Sequence, residues 1–255
     1  MRYLFATLIF LSVFAACRPV EAQAGRKESE GRRIVQEAYA FQNKLLDSTA
    51  TMDEVIQKWS ATAANPAVRK DPDAQAIAYG CEALLEIQKG ENKKADSLLK
   101  RALPLFRIRE SKAPVLVTYA EFERGLHHNA QAMRAYEEIV KTMDSIPGLD
   151  DIPFYHASGY APYAYAVDAS FGMAQIAMSD SSERKQAIEL LTNTLKLHPD
   201  DALGLMDLAA LHRLHKISDE NYKFKVDLLC SRKPELRKVD DHFEKKFAET
   251  GKEAR

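Results

Sequence analysis

Helical periodicity divided by prolines is the feature that most constrains the fold of this chain. Three proline-bounded stretches, 115–146, 163–198 and 200–233, are 32, 36 and 34 residues long. Each divides into two halves with apolar residues at helical spacing, as in 187–195, where they recur at i, i+3, i+4 and i+8. A similar length shared by successive helix pairs predicts a repeat of helical hairpins.

The punctuation of the helices also favours an all-α chain. Thr51 and Glu54 have the spacing of a capping box before an apolar helical face, and Asn65-Pro66 is expected to end that helix. Sustained alternation of β-branched residues is missing, so strands are not expected. Two further apolar faces follow glycines: Ala95, Leu98, Leu99 and Ala102 after Gly90, and Ala132, Tyr136, Ile139, Val140 and Met143 after Gly125.

The segment 195–209, LKLHPDDALGLMDLA, resembles the junction between two tetratricopeptide (TPR) repeats. Ala187, Leu191 and Pro199 match the second helix of one repeat, and 90–102 matches the turn and second helix of an earlier one. The Trp-Leu-Gly-Tyr elements of the family's first helix are mostly absent, so the repeats are degenerate. The resemblance implies an α-solenoid of about three to four helix hairpins with a C-terminal capping helix. An irregular α-bundle is the alternative.

A TPR array offers a concave groove, lined by the first helix of each pair. By the resemblance, the groove positions of this chain include Met173, Met206, Asp207 and Arg213. Methionine adapts to partners of varied shape, so such a groove suits an extended or helical peptide. The resemblance therefore implies a non-enzymatic adaptor or scaffold that binds a protein or peptide partner.

The N-terminus has the layout of a secretory signal. Arg2 precedes an apolar stretch over 3–16, which is shorter than the ~20 apolar residues needed to span a bilayer. The sequence Phe-Ala-Ala-Cys at 14–17 resembles a bacterial lipobox, which implies cleavage after residue 16 and lipidation of Cys17. The alternative is a small-x-small site at 22–24, whose cleavage would release a soluble protein. Either way, we expect an exported protein of the periplasm or cell surface, anchored at most by lipid, with no transmembrane helix in the mature form.

These features predict four segments along the chain. They are a signal peptide over 1–16 (or 1–24), a linker over 17–31, a TPR-like domain over 32–233, and a capping helix with tail over 234–255. An apolar stripe on the otherwise charged last helix supports the capping role. Its members are Leu236, Val239, Phe243 and Phe247.

An insert over 144–165 interrupts the repeats with three prolines, two glycines and a concentration of aromatic residues. Long irregular segments in compact domains are usually functional or disordered, and exposed aromatic rings suit stacking on a sugar. The insert therefore predicts an alternative function, carbohydrate binding, with a site made of Phe154, Tyr155, Tyr160 and Tyr163. The other interpretation of these rings is that they fill space where two helix pairs separate.

Composition and motifs argue against several further functions. With 36 Lys and Arg against 37 Asp and Glu, the chain has no basic excess for binding nucleic acid. No nucleophile elbow, HExxH, P-loop or dinucleotide-binding glycine turn occurs, so neither enzymatic activity nor a cofactor is predicted. His212 and His215 share a helix face, but a metal site needs further ligands, and none is expected. Cys81 and Cys230 are expected to be buried thiols, with one long-range disulfide as the alternative.

Overall fold

The computed structural model describes residues 29–143 and 161–234, together with positions 236, 237, 240, 241, 243, 245, 247 and 248. The regular structure of these residues is helical and contains no strand, which confirms the all-α prediction. The helices are α1 (Glu30–Gln42), α2 (Met52–Ala64), α3 (Pro66–Arg69), α4 (Pro72–Lys89), α5 (Asn92–Ala102), α6 (Arg109–Gly125), α7 (Asn129–Met143), α8 (Ala161–Ser179), α9 (Arg184–Leu197), α10 (Ala202–Arg213) and α11 (Asp219–Arg232). Single 3₁₀ turns follow α1 and α5, at Asn43–Leu45 and Leu103–Leu105.

The chain divides into two compact units, Met1–Phe122 and Glu123–Arg255, and the boundary falls inside α6. In the first unit, local sequence sets the helix ends. Thr51 and Glu54 form the predicted capping box of α2, and Asn65 ends that helix and caps α3. Gly90 ends α4 in the left-handed conformation, with φ of 82°, which glycine adopts without strain.

The core of the first unit is built mainly by α2, α4 and α5, with α4 packed against both of the others. Trp59, Leu85 and Leu99 are fully buried there, and the Trp59 indole donates a hydrogen bond to the Gln42 side chain. The predicted apolar face of α5 is the buried one. Its members are Ala95, Leu98, Leu99 and Ala102.

In the second unit, each helix from α7 to α11 packs on its neighbour in the chain, and α8 also packs on α10. The central helix α8 contacts α7, α9 and α10, and α10 also contacts α9 and α11. The predicted face of α9 is buried at Ala187, Leu191 and Thr194. The predicted start of the next face is buried too, at Leu205, Leu208, Ala209 and Leu211.

Pro114 does not mark a helix end. The proline-bounded stretch 115–146 implied a helix boundary at this residue. Pro114 lies inside α6, which begins at Arg109. As the sixth residue of α6 it lies beyond the first turn, so its missing N–H leaves one carbonyl of that turn without an intrahelical donor. The Pro114 carbonyl still accepts a hydrogen bond, from the Thr118 hydroxyl at 3.0 Å.

The C-terminal segment is helical at its described positions from 236 to 248 and turns an apolar stripe inward. Leu236, Phe243 and Phe247 are buried, as predicted, and the Phe247 ring lies 4.9 Å from that of Phe171. The Tyr222 hydroxyl of α11 donates a 2.6 Å hydrogen bond to Asp240. Residue 239, the fourth member of the predicted stripe, lies outside the described residues.

None of the described helices combines the length and apolar character needed to span a bilayer. The predicted signal peptide, Cys17 and the cleavage sites lie outside the described residues, as do residues 144–160 of the aromatic insert.

Candidate functional site

A groove of about 370 Å³ opens between α7 and α9 in the second unit, with α8 beneath it. Its lining residues come from all three helices, and most of them are contributed by α9. They are Glu137, Val140, Lys141, Met173, Gln186, Glu189, Leu190, Asn193, Thr194 and Leu197.

The floor and one lip of the groove are apolar. Val140 and Met173 are buried at its base, and Leu190 is half-buried in its wall. Leu197, in the last turn of α9, is 62% exposed and extends this apolar surface to the lip of the groove. The free energy falls when a partner covers an apolar surface that is open to water.

The rim of the groove is polar. Lys141 and Glu137 form an ion pair of 2.6 Å one turn apart on α7. On α9, Gln186, Glu189 and Asn193 are exposed. An apolar floor within a polar rim is the arrangement found at protein-binding surfaces.

Helical spacing explains why α9 supplies one wall. Its buried face runs through Ala187, Leu191 and Thr194, and the residues at 186, 190, 193 and 197 lie on the flank beside that face. Side chains on this flank border the space between α9 and α7 and remain at least partly exposed. The groove therefore follows from how α9 packs on α8.

The seam between α8 and α10 holds two buried polar side chains. Ser170 of α8 and Asp207 of α10 are both fully buried. Neither side chain makes a hydrogen bond of ordinary length and angle, although the Ser170 hydroxyl lies within hydrogen-bonding reach of the Asp207 carboxyl. Burial raises the pKa of Asp207 well above its ordinary value of 3.8, and Ser170 and His198 oppose that rise only in part.

The turn before α10 is closed by a small polar network. Asp201 accepts a hydrogen bond from the Gly204 N–H at 2.9 Å and so caps the helix. Its other carboxylate oxygen lies 2.9 Å from Nδ1 of His198. A β-carbon at Gly204 would overlap the His198 carbonyl oxygen, so the network depends on glycine at that position.

The four residues predicted for the partner-binding groove are placed differently from one another. Met173 lies at the base of the groove between α7 and α9. Met206 and Asp207 are fully buried, and Arg213 is exposed on α10. The structure thus does not bring these four side chains together on one open surface.

Sequence reasoning missed the α9 flank, because it looked for groove residues on the first helix of each pair. The available signal was Leu197, an apolar residue in the last turn of α9 that does not belong to the buried face.

For the aromatic insert, Phe154, Tyr155 and Tyr160 lie outside the described residues. Tyr163 lies within α8, and only its backbone is described.

The histidines and cysteines have ordinary surroundings. His212 lies 2.9 Å from Asp219 and stacks on the Tyr222 ring at 4.2 Å. Within the described ranges, no group of three or more metal-binding side chains occurs. Cys81 and Cys230 are buried thiols rather than a disulfide, as expected.

Comparisons with known proteins add no relative from which a function could be carried over. A scan against protein-family models finds no match, and searches of the curated proteins and of the solved structures find none either.

Proposed function

We propose that this protein is an exported, non-enzymatic interaction module whose groove between α7 and α9 binds an apolar segment of a partner protein in the cell envelope. The observation that carries the proposal is the apolar wall that α9 gives the groove, where Leu190 is half-buried and Leu197 is 62% exposed. A partner side chain that covers this surface removes apolar area from water. This burial lowers the free energy of the complex by about 25 cal/mol per Å².

The architecture we propose is one of TPR-like hairpins. They are α4–α5 in the first unit, and α8–α9 and α10–α11 stacked in the second unit, where the C-terminal helix closes the stack. Three observations support it. The helices within these pairs are joined by short turns, α8 packs on both α9 and α10, and the C-terminal segment buries one apolar stripe. A lone hairpin cannot bury both its faces, so hairpins of this kind stack.

The chemistry of the groove suggests what its occupant carries. Lys141 is neutralised by Glu137, and Glu189 adds an acidic side chain on the opposite wall. The matching partner segment presents apolar side chains to Val140, Leu190 and Leu197 and a basic side chain to Glu189. An amphipathic helix or an extended peptide satisfies this pattern.

The proposed location rests on the N-terminal sequence. Cleavage after residue 16 and lipidation of Cys17 would tether the module to a membrane, and cleavage after residue 24 would release it. In either form the groove meets proteins of the envelope.

A photo-crosslinking residue at Asn193, on the groove rim, tests the proposal in intact cells. We expect a discrete crosslinked product, identified by mass spectrometry, that is lost when Leu197→Arg is added. The matched control is Leu46→Arg, because Leu46 is 61% exposed in the first unit and Leu197 is 62% exposed. A synthetic peptide of the captured segment is then expected to bind the purified protein, and Leu197→Arg is expected to weaken binding about tenfold, or ~1.4 kcal/mol.

A crosslinking residue placed at Leu46 gives the background level. The groove proposal would be contradicted if the residue at Asn193 captured no more product than the one at Leu46, or if the product persisted in Leu197→Arg. Binding to a glycan array instead, lost on Tyr155→Ala and Tyr160→Ala, would favour the carbohydrate alternative.

A further inference from the structure

Asp207 is placed where a charge is strongly disfavoured. Its side chain is fully buried in the seam between α8 and α10, and neither carboxyl oxygen has a hydrogen-bond partner of ordinary geometry. The Ser170 hydroxyl, across the seam on α8, is buried and in the same condition. A buried carboxylate without partners is so costly that such a group keeps its proton.

The groups around Asp207 do not supply the missing compensation. From the turn between α9 and α10, Asp201 opposes ionisation and His198 favours it. His198 is itself held by Asp201 at 2.9 Å, so the positive charge it can offer is shared with another acid. From α8 the facing group is Ser170, which carries no charge.

A neutral acid suits this site better than a carboxylate. A carboxylic acid has one O–H donor, and a serine hydroxyl oxygen can accept it. In this arrangement no charge is buried. An ionised Asp207 could accept a hydrogen bond from Ser170 instead, but it would keep a full negative charge in a buried site.

We propose that Asp207 is carried as a neutral acid paired with Ser170 across the α8–α10 seam, and that its ionisation at rising pH loosens this seam. The protonated pair is an interhelical contact that stabilises the packing of α8 on α10 in the second unit. Its existence does not depend on the proposed partner-binding function.

The acid pair lies within one turn of a groove residue on α8. Ser170 and Met173 are three residues apart on α8 and so share a face of that helix. Met173 forms the groove floor, so a change in how α8 rests on α10 displaces that floor. This consequence, unlike the acid pair itself, rests on the proposed function.

The direct test is a ¹³C NMR titration of the Asp207 side-chain carboxyl in the otherwise unchanged protein, assigned with Asp207→Asn. We expect the resonance of a protonated acid at pH 6. A titration midpoint near the ordinary aspartate value of about 3.9 would overturn the proposal.

A second test follows stability against pH in urea for the wild type, Asp207→Asn and Asp200→Asn. Asparagine keeps the shape and cannot ionise, so the ratio of the Asp207→Asn folding constant to that of the wild type should grow about tenfold per pH unit above ~4. Asp200→Asn, an exposed neighbour, should show no such growth. A ratio independent of pH would contradict the proposal.

Hydrogen exchange separates a loosened seam from a general loss of stability. As pH rises, and after correction for the intrinsic exchange rate, protection of α8 and α10 amides should fall in the wild type before that of α4. In Asp207→Asn, their protection should stay level with α4. Equal behaviour of all three helices in the two proteins would show that the seam does not respond to this proton.

Discussion

The ring of Tyr136 in α7 occupies the space that a β-carbon on Gly172 of α8 would need. Tyr136 is fully buried, so its ring has little room to move away. The close approach of α7 to α8, which forms one side of the groove, thus depends on the absence of a side chain at position 172.

Gly172→Ala should therefore destabilise the second unit. Adding a methyl group to a packed interface costs about 1–3 kcal/mol, through displaced side chains and backbone. The measurement is the free energy of unfolding in urea. Gly125→Ala is the matched control, because a β-carbon there meets nothing within 4 Å, and it should change stability little or raise it. Equal effects of the two substitutions would contradict the packing argument.

Lys94 should contribute to the stability of the first unit, because it bridges two buried glutamates. Its ammonium lies 2.6 Å from Glu86 and 3.3 Å from Glu82, both of which are buried on α4. The hydrogen bond to Glu86 is the main cause that raises the pKa of Lys94. A cation with a raised pKa stabilises the fold below its unfolded value of about 10.5, and that stabilisation is lost as pH rises beyond it.

Lys94→Met removes the cation and leaves the two carboxylates facing each other. Because half of the Lys94 side chain is exposed, we expect a loss of about 1–2 kcal/mol at pH 7 rather than the larger cost of a fully buried pair. The exposed neighbour Lys93→Met is the control, and an equal loss of stability in the two variants would refute the explanation.

Asp180 should titrate in strong acid. Hydrogen bonds from Ser182 and then Asn129 lower its pKa from 3.8 to about 2. A depressed pKa contributes stability above pH 3.8 that is lost as pH falls toward 2. NMR titration should place the midpoint near 2, and Asn129→Ala should raise it, since the 2.8 Å bond to the Asn129 amide is removed. A midpoint that does not move in Asn129→Ala would contradict this assignment.

The N-terminal proposal has a simple test in cells. Cys17→Ala should shift the protein from the membrane fraction to the soluble fraction, because an unlipidated chain keeps no acyl anchor. Intact mass should show lipid on a chain beginning at residue 17 in the wild type. A mature chain that begins at residue 25 in both proteins would show that the soluble alternative holds.

Much of the helical framework could be predicted because its signals are local. Thr51 with Glu54, Asn65 with Pro66, and Gly90 set helix ends through contacts within a few residues. The buried face of α5 was visible for the same reason, since helical spacing alone brings its apolar residues together.

The candidate site was harder to predict because it depends on how helices stack. Periodicity shows that α9 has an apolar face, but not that its flank at Leu190 and Leu197 borders a space beside α7. Asp207 was expected on an open groove from the resemblance to the first helix of a TPR repeat, and the packing of α10 on α8 buries it instead. Pro114 lies at the sixth position of α6, so the proline alone did not locate that helix boundary.

The turn at Gly90 has a stereochemical consequence. Its φ of 82° is the mirror image of the conformation that ordinary residues prefer, and a β-carbon there meets nothing within 4 Å. The restriction at this position is therefore one of handedness rather than of space. A D-alanine introduced by peptide ligation would adopt this φ without strain and would leave the unfolded chain fewer conformations to lose, whereas L-alanine at the same position would be strained.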